Sequence, residues 1–349
     1  MKKKTRLPEF FKWEFWPFWI FYLPVYFHFI VLAFRARTLS FFTLTNPGMV
    51  MGGFAGYSKS EIQNQLHKKY IPETLVFTSF PDAEEIIKKM KEAGIYFPVI
   101  LKPDFGERGW KVEKISDRQQ MEKYLMDVPE VFLLQEYINL PEEYGVMYYR
   151  LPSNSAGTIS SLMKRDFLSV TGNGKSTLLE LFQKSDRCRY HLEKLIVQFK
   201  SELQAVIAAG EKKTLIEIGN HNRGTSFYNF NHLINQKLVA AFDKASKTLH
   251  EFYFGRFDVR CSSFEEMEKG NFKIIEVNGV NSEPAHIYDP TMSLVKAYRD
   301  LFRHWNTIYK ISMENKKRGN KPMKISKMYT AIVQHLQEKK LHPNKIYEG

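Results

Sequence analysis

Gly255-Arg256-Phe257-Asp258-Val259-Arg260 is followed, less than twenty residues later, by Ile274-Ile275-Glu276-Val277-Asn278. In both runs apolar residues flank polar ones, the pattern of buried strands, and Glu265 to Asn271 between them reads as a turn-forming segment. If the strands pair as a hairpin, Asp258, Glu276 and Asn278 converge, because side chains at 276 and 278 share a strand face. Two carboxylates and an amide form a hard, oxygen-only ligand set, which magnesium held between protein and nucleotide phosphates requires. Arg256, two residues before Asp258, adds a fixed charge for a phosphate or a developing anion. The competing reading is an ordinary polar hairpin in which Asp258 is ion-paired to a neighbour.

Upstream, Phe97-Pro98-Val99-Ile100-Leu101-Lys102-Pro103 reads as a short apolar strand ending in a lysine. Asp104-Phe105-Gly106-Glu107-Arg108-Gly109-Trp110 follows as a turn-rich loop, where backbone amides near Gly106 and Gly109 can approach phosphates closely. Val131 to Ile138 reads as another buried strand, and Glu142-Glu143-Tyr144-Gly145-Val146 as a loop after it. A strand facing a flat ring, with an acid a few residues on to accept ribose hydroxyls, completes a nucleotide pocket.

In this order the segments resemble the ATP-grasp superfamily, especially D-alanyl-D-alanine ligase and the ATP-grasp part of cyanophycin synthetase, over roughly residues 60 to 300. The resemblance implies ATP and Mg2+ as cofactors, with Mn2+ as an alternative, and ADP-forming carboxylate-amine ligation through an acyl phosphate. It makes Lys102 the phosphate-binding lysine and Lys69, with Lys68 adjacent, the earlier nucleotide lysine. Gly106 and Gly109 belong to the phosphate loop, Glu136 and Tyr137 to the adenine hinge, and Glu143 to the ribose position. Arg256 steadies the acyl phosphate, while Asp258, Glu276 and Asn278 hold magnesium. The chain departs from the ligases in three places. Its loop carries Glu107 and Arg108 in place of further glycine and serine, the preceding substrate domain is missing or much shortened, and Asn281 to Pro290 replaces a short Ser-Pro-Gly tail. Substrate identity therefore does not transfer.

Thr171-Gly172-Asn173-Gly174-Lys175-Ser176-Thr177 invites a P-loop reading, but Ser169 stands where the first glycine is needed. The run resembles the Gly-Lys-Ser-Thr segment of cyanophycin synthetase, and two readings fit it. In one, Lys175 on a lid meets substrate or phosphate. In the other, Ser176 or Thr177 caps a solvated helix over Leu178 to Phe182. Glu217 to Thr225 is polar after an apolar strand, so His221 and Arg223 either orient an acceptor or complete a structural loop. His286 and Tyr288 carry the same two readings.

Only Cys188 and Cys261 occur among 349 residues, so no disulfide framework is implied. The formal charge of +13 sits at the ends: residues 1–12 hold five bases against one acid and residues 310–349 ten against three. Between the basic start and the core, Phe15 to Phe34 is a run of twenty uncharged, largely apolar and aromatic residues interrupted by Pro17 and Pro24. Its length approaches a membrane span, yet the prolines and aromatics favour a segment lying along or dipping into one leaflet. A true span and a buried core or oligomer helix are the other readings. No small-residue cleavage site follows, which argues against a removable signal peptide. The basic C-terminal tail suits anionic lipid; it lacks the aromatic interleaving of a nucleic-acid surface, so no nucleic-acid partner is expected.

The expected architecture is α+β, an ATP-grasp fold with two subdomains clasping nucleotide, plus an aromatic N-terminal membrane-interface segment. Residues 1–45 form that segment, 46–60 a Gly-rich linker, 61–309 the catalytic domain and 310–349 a basic helical extension. The expected function is ATP-dependent carboxylate-amine ligation on small-molecule or lipid-linked substrates. Its place is cytoplasmic, at the anionic inner face of the cell membrane, with an oligomer as an open possibility. An ATP-grasp kinase and a non-catalytic membrane adaptor are the alternatives.

Overall fold

The computed structural model describes Trp13 and residues 16–79, 81–106, 109–127, 131–215 and 225–341. The chain opens with α1 (Phe18–Phe21), α2 (Leu23–Ala36) and α3 (Lys59–Gln63). Next come β1 (Thr74–Phe77), α4 (Ala83–Glu92), β2 (Val99–Pro103), β3 (Glu113–Ile115), α5 (Arg118–Leu125) and β4 (Phe132–Glu136). They are followed by β5 (Glu142–Tyr149), β6 (Thr158–Asp166), β7 (Ser169–Thr171), α6 (Leu178–Lys184), α7 (Asp186–Arg189), α8 (Leu192–Gln198) and β8 (Lys212–Thr214). The remainder is β9 (Ser226–Asn229), α9 (Gln236–Ser246), β10 (Phe254–Cys261), α10 (Phe264–Glu268), β11 (Lys273–Asn278), α11 (Leu294–Lys317) and α12 (Ile325–Leu341).

These elements fall into two compact units. The first comprises residues 1–71, 140–164 and 228–336. Its sheet has the order β11-β10-β5-β6-β9. Strand alternation divides that sheet cleanly. Tyr144, Val146 and Tyr148 of β5, with Phe257, Val259 and Cys261 of β10, pack into a core shared with Leu238, Phe242 and Ala245 of α9. Their sequence neighbours point to the opposite face. The long helix α11 exists because Ala297, Leu301, His304, Ile308 and Ile311 recur at helical spacing and are buried, with Ser293 capping its start.

The second unit comprises residues 72–139, 165–227 and 337–349. Its four-stranded antiparallel sheet runs β1-β4-β2-β3. Ile86 and Met90 of α4 and Met121 and Tyr124 of α5 pack with Leu101 and Leu134 of that sheet. Asp82 and Asp117 accept the first free amides of these two helices at 2.8 Å each. A smaller core gathers Val170, Leu178, Phe182, Cys188 and Leu195 around the two-stranded sheet of β7 and β8.

Two expected segments differ. Glu142 to Val146 is a strand, not a loop: its acids are held in a sheet by bases on neighbouring strands, Glu142 by Lys164 and Glu143 by Arg260. Glu265 to Asn271 contains the helix α10, because Ser263 caps it by accepting from the Glu266 amide at 3.3 Å.

The aromatic N-terminal run forms α1 and α2, with Pro24 in the first turn of α2, where a proline is tolerated. Among the described residues no helix is long and apolar enough to cross a membrane. Beyond it, the glycine-rich segment is built into the first unit. Asn46 is fully buried; its Oδ1 accepts from Tyr253 N and Phe254 N at 2.8 and 2.9 Å, and its Nδ2 donates to Gly52 O and Phe254 O. Gly53 has φ +80°, and a Cβ there would lie 2.6 Å from Gly279 Cα, so only glycine fits. Amides of Val280 and Asn281 donate to the carbonyls of Gly52 and Gly53 at 3.2 and 3.3 Å.

Candidate active site

In the first unit, β10 and β11 pair antiparallel with Asp258 opposite Glu276 and Arg256 opposite Asn278. On its other side β10 pairs with β5, placing Arg256, Asp258 and Arg260 opposite Met147, Gly145 and Glu143. Alternation therefore sets Arg256, Asp258, Arg260 and Glu143 on the sheet face opposite the α9 core.

Asp258 is 1% exposed. It accepts from Arg256 Nε at 2.7 Å and from Arg256 Nη2 at 3.1 Å, a bidentate fork. The neighbour ion pair weighed from sequence is thus present. Asn278 Nδ2 donates to Asp258 Oδ2 at 3.5 Å, and Tyr57 donates to Asn278 Oδ1 at 3.3 Å. Gly145 leaves room for this group: a Cβ there would come within 2.8 Å of Met163, 3.3 Å of Arg256 and 3.4 Å of Asp258. Two residues along the same face, Arg260 donates to Glu143 at 2.9 Å in a second buried pair. Among the described residues no group of three His, Cys, Asp or Glu side chains gathers as metal ligands; the convergent set relies on the Asn278 amide. The carboxylate oxygens of Asp258 and Glu276 fit a hard cation, whereas Asn278 turns its Nδ2 to Asp258 and its Oδ1 to Tyr57, so its oxygen would join them only after the amide rotates.

Lys69 is exposed at the turn end of the hairpin, 5.5 Å from the Tyr70 ring centroid. A Cβ on Gly270 would sit 3.9 Å from its Nζ. Burial pushes the Cys261 thiol up to about 12, as suits a packed sulfur with no nucleophilic role.

In the second unit, Lys102 is 5% exposed and its Nζ donates to Gln135 Oε1 at 3.0 Å; Gln135 in turn donates to Thr74 at 3.0 Å. Gly106 and Gly109 both have positive φ, +119° and +71°. At Gly106 a Cβ would lie 2.9 Å from the Trp110 ring, so the ring closes beneath the loop only because no side chain intervenes. Glu107 and Arg108 lie outside the described residues, as do His221 and Arg223. Glu136 exchanges backbone and side-chain hydrogen bonds with Glu73 at 2.9 and 3.3 Å, and Lys114 sits 4.4 Å from the Tyr137 ring centroid. Lys175 is exposed on a loop shaped by Asn173, whose Oδ1 accepts from the amides of 175 and 176. Thr177 caps α6 by accepting from the Glu180 amide at 3.3 Å.

One polar chain went unread in the sequence. Ser161 bonds His286 Nδ1 at 2.7 Å and His286 Nε2 bonds Asp300 at 3.1 Å. Burial pushes the Asp300 carboxyl upward, but His286 and Arg299 outweigh it and hold the group below the usual carboxylate range. Ser161 and His286 are both 1% exposed, so the chain ties β6 to α11 through the segment after β11. Its members are 125 and 14 residues apart, and no local pattern signals them.

Residues 59–180 match the RimK-like ATP-grasp domain. The carboxylate hairpin lies beyond that match. No curated protein matches the chain. Among solved structures, a bifunctional glutathione synthetase from Pasteurella multocida is 15% identical, with 73% of this chain and 38% of that chain covered and a TM-score of 0.38. The VanG D-Ala:D-Ser ligase from Enterococcus faecalis is 13% identical over 71% of this chain and 61% of that one, with a TM-score of 0.40. A D-alanine–D-alanine ligase from Bacillus anthracis is 14% identical over 75% and 69%, with a TM-score of 0.42. The chain thus spans about two fifths of the first of these proteins and about three fifths of the second. Residues 59–180, about a third of the chain, are thus similar to the RimK-like ATP-grasp domain.

Proposed function

We propose that the chain is an ADP-forming, ATP-dependent carboxylate-amine ligase working through an acyl phosphate. The observation that carries this reading is the polar group on one sheet face, Arg256 and Asp258 with Asn278 beside them and Glu276 opposite Asp258 in register, in a chain that also carries an ATP-grasp domain. Asp258, Glu276 and Asn278 would hold magnesium, which supplies charge neutralisation to nucleotide phosphates. Arg256, beside Asp258 on the same face, would offer its guanidinium to a phosphate or a developing oxyanion. Lys102 would neutralise phosphate charge from the strand end, exchanging Gln135 for a phosphate oxygen. A substrate carboxylate oxygen attacks the γ-phosphorus and ADP leaves; an amine then attacks the acyl carbon, losing a proton as phosphate departs. Positioning and charge carry such a reaction without a protein nucleophile.

In this reading Glu136, Tyr137 and Glu143 belong to the nucleoside side. Lys175, His221 and Arg223 belong to the acceptor side, and Lys69 is a further phosphate contact. The place of action is the cytoplasmic face of a membrane, with an amphiphilic or lipid-linked substrate. The test is incubation of the purified full chain with Mg-ATP and pooled carboxylates and amines. ADP, phosphate and an amide are expected. A stable phosphorylated product would make it a kinase, and no ATP binding at all would make it an adaptor.

A further inference from the structure

The two faces of α2 differ in kind. Val25, Leu32, Ala33 and Ala36 are buried, in cores shared with Leu301, Ile308 and Ile311 of α11. His28 bonds Asn306 at 3.2 Å and the Phe29 ring meets Trp305 edge-on at 5.2 Å, so the helix is fixed to the body along this side. The outward side is a continuous apolar stripe: Leu23 is 50% exposed, Phe27 64%, Ile30 57%, Val31 55% and Phe34 85%. Their spacing of four, three, one and three residues keeps them on one face. A folded protein rarely leaves so many large side chains contiguous and in water unless something covers them.

Charge indicates what covers them. Leu23–Ala36 contains no acid, and Arg35 and Arg37 stand exposed at its C-terminal end. Two distant segments bring more bases there. Lys316 donates to Ala36 O at 3.0 Å, with exposed Lys317 beside it. Met323 is pinned by Ser40 and Thr43 at 2.7 and 3.0 Å, which sets exposed Lys324 nearby. A second copy presents the same acid-free face and offers these bases nothing to meet, whereas phosphatidyl headgroups do. At 14 residues α2 is about 21 Å long, short of the roughly 30 Å hydrocarbon core.

We propose that α2 is an in-plane membrane helix: its outward stripe enters one leaflet of an anionic phospholipid bilayer, and the bases at its C-terminal end hold headgroups. The proposal shares with the ligase reading only the place of action. Because the buried side of α2 and the start of β10 contribute to one core, docking fixes the carboxylate hairpin at a set height above the lipid.

The test is co-sedimentation of the full chain with phosphatidylcholine vesicles containing about a third phosphatidylserine, and with phosphatidylcholine alone. Strong binding is expected on the anionic vesicles, and high salt should release the protein only in part, since apolar insertion is not screened. A Phe27→Asp, Phe34→Asp double variant should bind at least about tenfold more weakly with an unchanged melting temperature, because both side chains face solvent. Arg35→Glu with Arg37→Glu should markedly weaken the preference for anionic lipid, and adding Lys317→Glu and Lys324→Glu should remove it. Undiminished binding by the aspartate variant, or a full chain that ignores both vesicles, would overturn the proposal. So would a lipid-free dimer that the aspartate variant loses. Vesicle binding is read without ATP or substrate, and ATP binding by wild type and the variants is read without vesicles, where it should be the same for all, so a failed membrane test and a failed ligase reading are told apart.

Discussion

The carboxylate hairpin of the first unit and the lysine strand of the second are both candidate catalytic surfaces, yet they are held in different ways. In the hairpin, register on both sides of β10 fixes each polar side chain, and the charges are already neutralised by partners on the same sheet, Arg256 on Asp258 and Arg260 on Glu143. Lys102 sits in a sheet of strands three to five residues long, and Gln135 is its partner across the ladder. The loop after it depends on two glycines at positive φ. The acid side is held by its sheet partners, while the lysine side is followed by Gly106 and Gly109, at whose positive φ a side chain is strained.

The contrast breaks first at Asp258. Asp258→Asn keeps the volume and removes the charge, so ADP formation should fall on the order of 10²–10³-fold. The melting temperature should also drop, because Arg256 loses its buried partner, and circular dichroism checks that the variant is still folded at the assay temperature. Equal turnover would show that the hairpin is only an ion-paired strand. Lys102→Ala tests the other surface. A charge-assisted hydrogen bond contributes about 1.5–3 kcal/mol, so nucleotide affinity or the phosphoryl step should weaken roughly 10–150-fold. Stability should also drop, because Gln135 Oε1 loses its donor. Wild-type kinetics would remove the strand-end lysine from the site.

The smallest effect sharpens the contrast through pH, since β10 also leans on a buried histidine. Burial pushes His304 down to about 3, its ring 4.9 Å from that of Phe254. Unfolding returns it to about 6.5, so the unfolded chain binds a proton that the folded chain refuses. This contribution is present above pH 6.5 and is lost as pH falls toward 3. Between pH 7 and pH 5 the unfolding free energy should drop by about 2 kcal/mol from this group. In denaturant titrations at the two pH values, the drop should be smaller in His304→Leu than in wild type by about that amount.

How much could be read from the chain follows from sequence distance. The β10–β11 hairpin was legible because its members lie within 25 residues and polar residues alternate with apolar ones along β10, although the bulge that skips Ile275 was not; the β2 strand with its lysine was equally local. Capping of α6 by Thr177 was legible for the same reason. Glu142 and Glu143 misled, since two adjacent acids look like a solvated turn until Lys164 and Arg260 arrive from other strands. Asn46 holding the start of β10 from 207 residues away has no local signature, nor does the Ser161–His286–Asp300 chain. Apolar content alone marked Phe15 to Phe34, but which side of α2 faces the body depends on α11, some 280 residues later.

That last separation has a consequence during synthesis. The buried face of α2 leaves the ribosome well before its partners: Ile308, Ile311 and Lys316 follow about 280 residues afterwards. At about 5–20 residues per second, both faces of the helix stay uncovered for roughly 15–55 s. A nascent chain in that state exposes apolar side chains on both faces of α2, the kind of surface that chaperones cover. The order of translation thus leaves the inner face of α2 open until α11 arrives to close over it.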